Sequence, residues 1–270
     1  MDWYSRQSFL GHESRHALHA ARIAVVGLGG GGSHVCQQLA HVEVGKIIAI
    51  DPDRIGASNL NRLVGGTRLD VLLHRRKTSI AKRQIRRVNP NARVLACPHQ
   101  WQKCLDVLKW SDIVIGCLDR VRAKDELDAF CRRYLIPFVD IGMDVHQISS
   151  GYLIAGQVVL SFVGGPCLRC LGVVTDTVLA DEARQYGAAG ANPQVVWPNG
   201  VLASSAVGLA IQILTPWQQL PVEAAFLQYD GNVGTISESH RLAAWSGGCP
   251  HYPAEQRGDP GFRLQGHSFA

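Results

Sequence analysis

Residues 27–32 read Gly27-Leu28-Gly29-Gly30-Gly31-Gly32, which satisfies GxGxxG with two glycines to spare. A chain without side chains lets its backbone approach a phosphate closely. A helix N-terminus just beyond it offers free N–H groups and the positive end of a dipole. The pattern alone is weak evidence, because a glycine-rich turn can bind nothing. Its setting makes it stronger. The β-branched run Arg22–Val26 precedes it, and Val35, Leu39 and Val42 follow at helical spacing. A second apolar run, Lys46–Ile50, then leads into Asp51-Pro52-Asp53. Strand, glycine turn, helix, strand and acid make a βαβ unit, with Asp51 where a ribose-binding carboxylate belongs. These residues point to a nucleotide and leave its identity open, a nicotinamide dinucleotide included.

The next segment narrows the choice. It reads Ser58-Asn59-Leu60-Asn61-Arg62 and is followed by the basic run Arg75-Arg76-Lys77. Hydride transfer needs neither. A triphosphate carries more charge than one helix end can offset, so it needs additional cations, which Arg62 and Lys77 can supply. For any single residue of the basic run, a solvated helix face is the commoner explanation. Further on, Cys167-Leu168-Arg169-Cys170 has the spacing of a metal knuckle. Zinc is favoured there over a redox pair, because a redox CxxC belongs at a helix start in a thioredoxin-like fold.

Elements must position these groups, and the pattern supplies them. Helical periodicity runs over Thr78–Val88, Gln102–Trp110 and Ala123–Tyr134, alternating with strands at Ala92–Ala96, Asp112–Gly116 and Pro137–Ile141. Repeated βα units imply a doubly wound, mostly parallel α/β sheet with helices on both faces. After Gly142 the pattern changes. His146–Ser149 and Tyr152–Phe162 read as two strands of an antiparallel extension. Leu171–Val195 reads as irregular, Asn199–Leu214 as a buried helix, and Ala225–Asp230 with Val233–Ser237 as a hairpin around Gly231-Asn232. One domain is expected over residues 1–252, with a frayed tail at 253–270.

Composition sets outer bounds. Of 270 residues, 46% are apolar and 18% charged, which excludes a disordered polyelectrolyte. The net charge of +5 is too small to argue for nucleic acid. The N-terminal residues show no basic region followed by an apolar stretch, and no run of about 18 uncharged apolar residues occurs. Cys36, Cys97, Cys104, Cys117 and Cys131 each stand alone in apolar segments and read as small core residues. The expectation is a reduced, cytoplasmic protein with no membrane span.

Several motifs together resemble the ThiF/MoeB/HesA family, bacterial relatives of the ubiquitin-activating enzymes. They are Tyr4-Ser5-Arg6-Gln7, the glycine loop, Ile50-Asp51-Pro52-Asp53 and Ser58–Arg62. Further carriers are a lysine twelve residues before Asn89-Pro90, Cys117-Leu118-Asp119, and the CxxC. The likeness runs from Trp3 to about Tyr252. It implies a Rossmann-like sheet extended by antiparallel strands, usually in a homodimer. It also implies ATP- and magnesium-dependent adenylation of the C-terminal carboxylate of a ubiquitin-like or sulfur-carrier protein.

Position by position, the resemblance implies that Gly27, Gly29, Gly30 and Gly32 cradle phosphates. Asp51, with Asp53 beside it, holds the ribose. Asn59, Arg62 and Lys77 bind the triphosphate, and Asp119 binds magnesium. Arg6 reaches the partner subunit's site. Taken as chemistry, these roles are coherent. Carboxylate attack on a phosphorus brings two anions together, so the site must neutralise charge. It needs no general base, because the carboxylate is already ionised. Without the other motifs, Asp119 reads as an ordinary helix N-cap.

The family has a second CxxC near the C-terminus. Here the matching segment is Gly248-Cys249-Pro250-His251, so Cys249 and His251 would join Cys167 and Cys170 as zinc ligands, His251 being a departure from the pattern. Some relatives store the activated acyl group on a cysteine in the crossover after the CxxC, but Leu171–Ser246 contains none. The competing readings are a tRNA threonylcarbamoyladenosine dehydratase-like enzyme, a non-catalytic nucleotide-binding interaction module, and an NAD-dependent dehydrogenase.

Overall fold

A computed structural model describes residues 3–184, 193–218, 222, 224–253 and 257–258. The tail expected at 253–270 lies mostly outside the described residues. Eight strands form one sheet in the order β3-β2-β1-β4-β5-β6-β7-β8. The parallel half holds β1 (Arg22–Val26), β2 (Lys46–Ile50), β3 (Arg93–Cys97), β4 (Ile113–Gly116) and the start of β5 (Phe138–Ile148). The antiparallel half continues from β5 through β6 (Gly151–Ser161), β7 (Ala225–Asp230) and β8 (Thr235–Glu238). The chain winds outward from β1 to β3, then returns to place β4 on the other side of β1. The C-terminal ends of β1 and β4 therefore diverge at a topological switch point, where open α/β sheets bind ligands.

The central strands β1, β2 and β4 are buried on both faces because helices cover both. One face receives α1 (Ser14–Ala20), α2 (Gly30–His41), α4 (Lys77–Val88) and α8 (Val196–Leu214). It buries Ile23 and Val25 of β1 with Val35, Leu39, Ile85 and Leu202. The other receives α5 (Leu105–Leu108), α6 (Val121–Arg133) and the loop after Cys167. It buries Ala24 and Val26 of β1 with Leu108, Leu127 and Leu168. The period-2 alternation within β1 thus feeds two separate cores. By length and composition α8 could cross a bilayer, yet half of it is buried inside the fold.

Several elements differ from the sequence expectation, each for a physical reason. Pro137–Ile141 and His146–Ser149 are one strand, β5, paired residue for residue with β6. Its pattern changes at Gly142 because the far half of the hairpin leaves the core and becomes exposed. The segment expected to be irregular contains α7 (Asp176–Arg184), none of whose residues is buried, so apolar periodicity could not reveal it. The helix expected over Gln102–Trp110 is reduced to a 3₁₀ turn, Trp101–Lys103, and the four residues of α5. The second hairpin strand begins at Thr235. The Asp230 carboxylate, by accepting from the Asn232 and Val233 amides, builds a longer turn. Three short helices, α1, α3 (Arg68–Leu72) and α9 (His240–Ala243), fall where none is expected.

A single carboxylate organises the connection from β2 to α4. Asp70, 1% exposed, accepts from the Thr67 amide and hydroxyl and caps α3. It also takes two 2.6 Å bonds from the Arg83 guanidinium on α4. Arg83 additionally reaches the Gly65 carbonyl at 2.8 Å. The Arg83 fork, foremost, holds the Asp70 carboxyl well below the usual carboxylate range. A depressed carboxyl stabilises the fold fully above its unfolded value, about 3.9, and loses that contribution as pH falls through the folded value. Asp70→Ala is therefore expected to cost about 2 kcal/mol at pH 7, Arg83 being partly exposed. Urea denaturation checks this: the gap from wild type should narrow as pH drops below about 4, and a gap that widened in acid would contradict it.

Candidate nucleotide cleft and metal cluster

The glycine loop leaves β1 with Gly27 at φ +90°, a backbone state that disfavours any side chain. The Gly27 amide donates to Ile50 of β2, and the Cys117 amide donates to Val26. The loop is thereby wedged between the ends of β2 and β4. A Cβ on Gly27 would overlap the Cys117 carbonyl, and one on Gly32 would overlap the Gly27 carbonyl. One on Gly30 would strike the Asn199 amide at the start of α8. At Gly29 a Cβ would meet nothing within 4 Å. The expectation that all four glycines face phosphate is therefore refined. Gly32 does not line the cleft and serves helix–strand packing. Gly29 presents bare backbone to open space.

That space is a cleft of about 690 Å³ at the C-terminal ends of β1, β2 and β4. Asp51 sits at its back, 5% exposed, accepting from the Leu28 amide at 2.7 Å and the Asp53 amide at 2.8 Å. Burial raises its carboxyl above the ordinary range, against the opposing pull of Lys77. Lys77 opens α4 and points its ammonium 2.8 Å from Asp53 and 3.8 Å from Asp51. Asn59 lines the cleft while its Oδ1 accepts from the Gly56 amide, closing the turn. Arg62 is folded back, donating to the Ser58 carbonyl at 2.7 Å and to Asn61 Oδ1 at 3.0 Å. Asp119 is exposed at the cleft, and its Oδ1 accepts from Gln194 at 3.0 Å.

The fold thus gathers Gly27, Gly29, Gly30, Asp51, Asp53, Asn59, Arg62, Lys77 and Asp119 around one cavity. Arg6 is not among its lining. It is exposed on the 3₁₀ segment Trp3–Leu10. Cys117, expected in the core, is half-buried and lines the cleft. Sequence reasoning missed Lys124 and Asp140. The Lys124 ammonium, on α6, donates at 2.9 Å to both Asp140 Oδ2 and the Ile141 carbonyl, with the pair 5% and 0% exposed. Burial pushes the Asp140 carboxyl up, and Lys124 draws it back. A signal existed: Lys124, Asp128 and Arg132 recur every four residues on the face that also carries Leu127 and Cys131.

The bare backbone at Gly29 and the Arg62 and Lys77 cations lining the same cavity fit a nucleotide with a phosphate chain. Oxygen donors on Asp119 fit a hard divalent cation.

The sulfur ligands assemble elsewhere. Cys167, Cys170, Cys249 and His251 offer donor atoms that all lie within 4.8 Å of one another. Cys167 Sγ is 3.5 Å from Cys170 Sγ, and Cys170 Sγ is 3.6 Å from Cys249 Sγ. His251 Nδ1 is 3.4 Å from both Cys167 and Cys170. A tetrahedral ion with metal–sulfur bonds of about 2.3 Å separates its sulfurs by roughly 3.8 Å. Three thiols and an imidazole at these distances fit that geometry. Departure from a second CxxC does not prevent closure, because the imidazole reaches where a fourth thiol would.

Buried charge on α6 holds this cluster to the sheet. Arg132, 1% exposed, donates to the carbonyls of Phe162, Gly165 and Pro166 and to Ser161 Oγ. Asp128 accepts from Ser161 Oγ at 2.6 Å and from the Leu168 amide at 2.9 Å. Arg132→Met should cost about 3 kcal/mol, since it strands these acceptors and leaves Asp128 without its cation. Urea denaturation together with faster tryptic cleavage after Arg169 would show it. An unchanged midpoint and digestion rate would refute the clamp.

Comparisons with known proteins agree with this geometry. The model of the ThiF family matches residues 4–251. A sulfur carrier protein adenylyltransferase of Thermus thermophilus is 31% identical, over 63% of this chain and 64% of its own length. A molybdopterin-synthase adenylyltransferase of Salmonella typhimurium is 26% identical, over 84% of this chain and 87% of its own. A tRNA threonylcarbamoyladenosine dehydratase of Escherichia coli is 34% identical, over 49% of this chain and 50% of its own. The chain spans less than two thirds of the first and third of these relatives. A crystal structure of Escherichia coli MccB with succinimide superposes with a TM-score of 0.73 at 21% identity, covering 88% of this chain and 71% of that one, a likeness of fold. The chain belongs to the ThiF family.

Proposed function

We propose that this protein is an ATP-dependent adenylyltransferase that activates the C-terminal carboxylate of a ubiquitin-like or sulfur-carrier protein. The observation that carries this reading is the cleft. Gly29, Asn59, Arg62, Lys77 and Asp119 come from four separate segments and converge on one cavity at the switch point. Relatives bearing adenylyltransferase names support it. In the reaction, a carboxylate oxygen attacks the α-phosphorus of ATP and forms a new P–O bond. The bond to the β-phosphate oxygen breaks, and pyrophosphate leaves with the electron pair. Both reactants are anions, so the protein's task is to place them and offset their charge.

Individual roles follow from position. The glycine loop offers backbone amides to phosphate, and Asp51 with Asp53 faces the ribose. The Lys77 ammonium, 2.8 Å from Asp53, would pair with a phosphate of the nucleotide. Arg62, folded onto Ser58 and Asn61, needs only a side-chain rotation to turn inward. Asp119 would hold magnesium, which supplies Lewis-acid neutralisation of phosphate oxygens when bound. The exposed Arg6 would serve the site of a second copy in a homodimer. Cys167, Cys170, Cys249 and His251 would hold a structural zinc ion. With no cysteine between Leu171 and Ser246, the acyl-adenylate would pass directly to its acceptor. Residues 1–252 would act as one adenylation domain. A reducing, cytoplasmic setting suits the eight unbridged cysteines.

A dehydratase acting on tRNA is the second reading, supported by the Escherichia coli relative that matches half of the chain. A binding module that retains the nucleotide site without turnover is the third. ATP–pyrophosphate exchange separates all three. Exchange should require a carrier with a free C-terminal carboxylate, and Lys77→Ala should lower kcat/KM about a hundredfold or more. Exchange that is absent with every carrier, or stimulated by tRNA instead, would overturn the first reading. Metal analysis of the purified chain should give about one zinc per protomer, tetrahedral by absorption spectroscopy after cobalt exchange. Cys170→Ser should lose most of it, and full retention would remove Cys170 from the ligand set.

A further inference from the structure

Asp119 is exposed and lies three residues beyond the end of β4; Leu118 before it packs against the core, whereas the carboxylate itself is held by a polar contact. We propose that Glu182 of α7 and Gln194, just before α8, set the geometry of this turn, with Gln194 as the positioning residue for the Asp119 carboxylate. The proposal rests on the reading of Asp119 as a ligand of the divalent cation.

Two independent sets of contacts carry it. Gln194 bridges the cleft. Its side-chain amide donates to Asp119 Oδ1 at 3.0 Å, and its carbonyl accepts from Asn61 Nδ2 at 2.8 Å. One residue therefore links the Ser58–Arg62 turn to the acid on the opposite side. Holding one carboxylate oxygen fixes the rotamer and leaves Oδ2 to face a cation. Outer partners of metal-binding carboxylates commonly act in this way. The second set lies behind the acid. Glu182 of α7 accepts from the Val121 amide at 2.9 Å and the Arg122 amide at 3.0 Å. These are the first free N–H groups of α6, whose own N-cap residue, Arg120, makes no side-chain cap bond. Glu182 thus fixes the backbone directly after Asp119, and its negative charge is absorbed by the helix end.

The element that supplies Glu182 is itself held by polar tethers. No residue of α7 is fully buried; Leu179 gives it one partly buried apolar contact with the core, and the polar tethers add to that. Arg169, between the two cysteines of the knuckle, reaches Asp176 of α7 at 3.1 Å and grips Asp125 of α6 at 2.8 and 2.7 Å. α7 is therefore seated on α6, and Gln194 on the cleft. Both attachments converge on residues 119–122.

Mn2+ binding to the full chain, with a saturating non-hydrolysable ATP analogue, tests this through the electron paramagnetic resonance signal of free Mn2+. Gln194→Ala should weaken Mn2+ binding about tenfold. Pyrophosphate exchange should return toward the wild-type rate when the metal is raised, so the loss lies in half-saturation and not in kcat. Glu182→Ala should weaken binding in the same direction, and Glu182→Gln should recover part of it, because an amide oxygen still accepts from the helix N-terminus. Thermal melting confirms that each variant is folded. Wild-type Mn2+ affinity in folded Gln194→Ala, alongside a large loss in Asp119→Ala, overturns the positioning role. Unchanged affinity in Asp119→Ala itself overturns the reading of Asp119 as well.

Discussion

The Asp51 carboxylate is the contact on which the cleft depends. It is buried, yet it accepts from the Leu28 amide in the glycine loop and from the Asp53 amide in the next turn. One side chain therefore locks the end of β1 to the end of β2. It adds to the Gly27–Ile50 bond in restraining a loop whose glycines impose little conformational preference of their own. Ionising a carboxyl in that position is costly, and the fold offsets the cost with two amides and the ammonium of Lys77. The same arrangement brings the start of α4 to the cleft, so the group that stiffens the loop also recruits its nearest cation.

A second organising line runs along α6. Its N-terminus follows Asp119, and its buried face carries Lys124, Asp128 and Arg132 one turn apart. Lys124 supports the cleft floor through Asp140, whereas Asp128 and Arg132 support the loop that carries the cysteines. Buried charges at this spacing are expensive unless every partner is present. Here they join two distant features through one rigid helix. The cluster of three cysteines and a histidine is thereby connected mechanically to the cleft without lying near the proposed chemistry.

The parallel half of the sheet was legible because its central strands, β1, β2 and β4, are buried on both faces. Their apolar runs, ended by Gly27, Asp51 and the Gly116-Cys117 pair, could hardly belong to another element. The crossover was illegible for the converse reason. No residue of α7 is fully buried, so hydrophobic periodicity has little purchase on it, and its Glu182 accepts from the start of another helix, 61 and 60 positions away. The break at Gly142 misled because periodicity reports burial. The half of β5 that leaves the core loses the pattern while keeping its ladder to β6. Lys124 was hidden by its type, since lysine on a helix usually means solvent.

The sequence by itself determined the phosphate-type loop, the order of strands through β4, the acid after β2, and the cysteine pair at 167 and 170. Each depends on local spacing, which a linear chain displays in full. Only the tertiary structure decided which glycine faces open space, that Arg6 lies away from the cleft of its own chain, and that His251 stands beside the three thiols. It also decided that Gln194 spans from Asn61 to Asp119. These facts depend on distances between segments far apart in the chain, and those distances exist only once the sheet has closed and both its faces are covered.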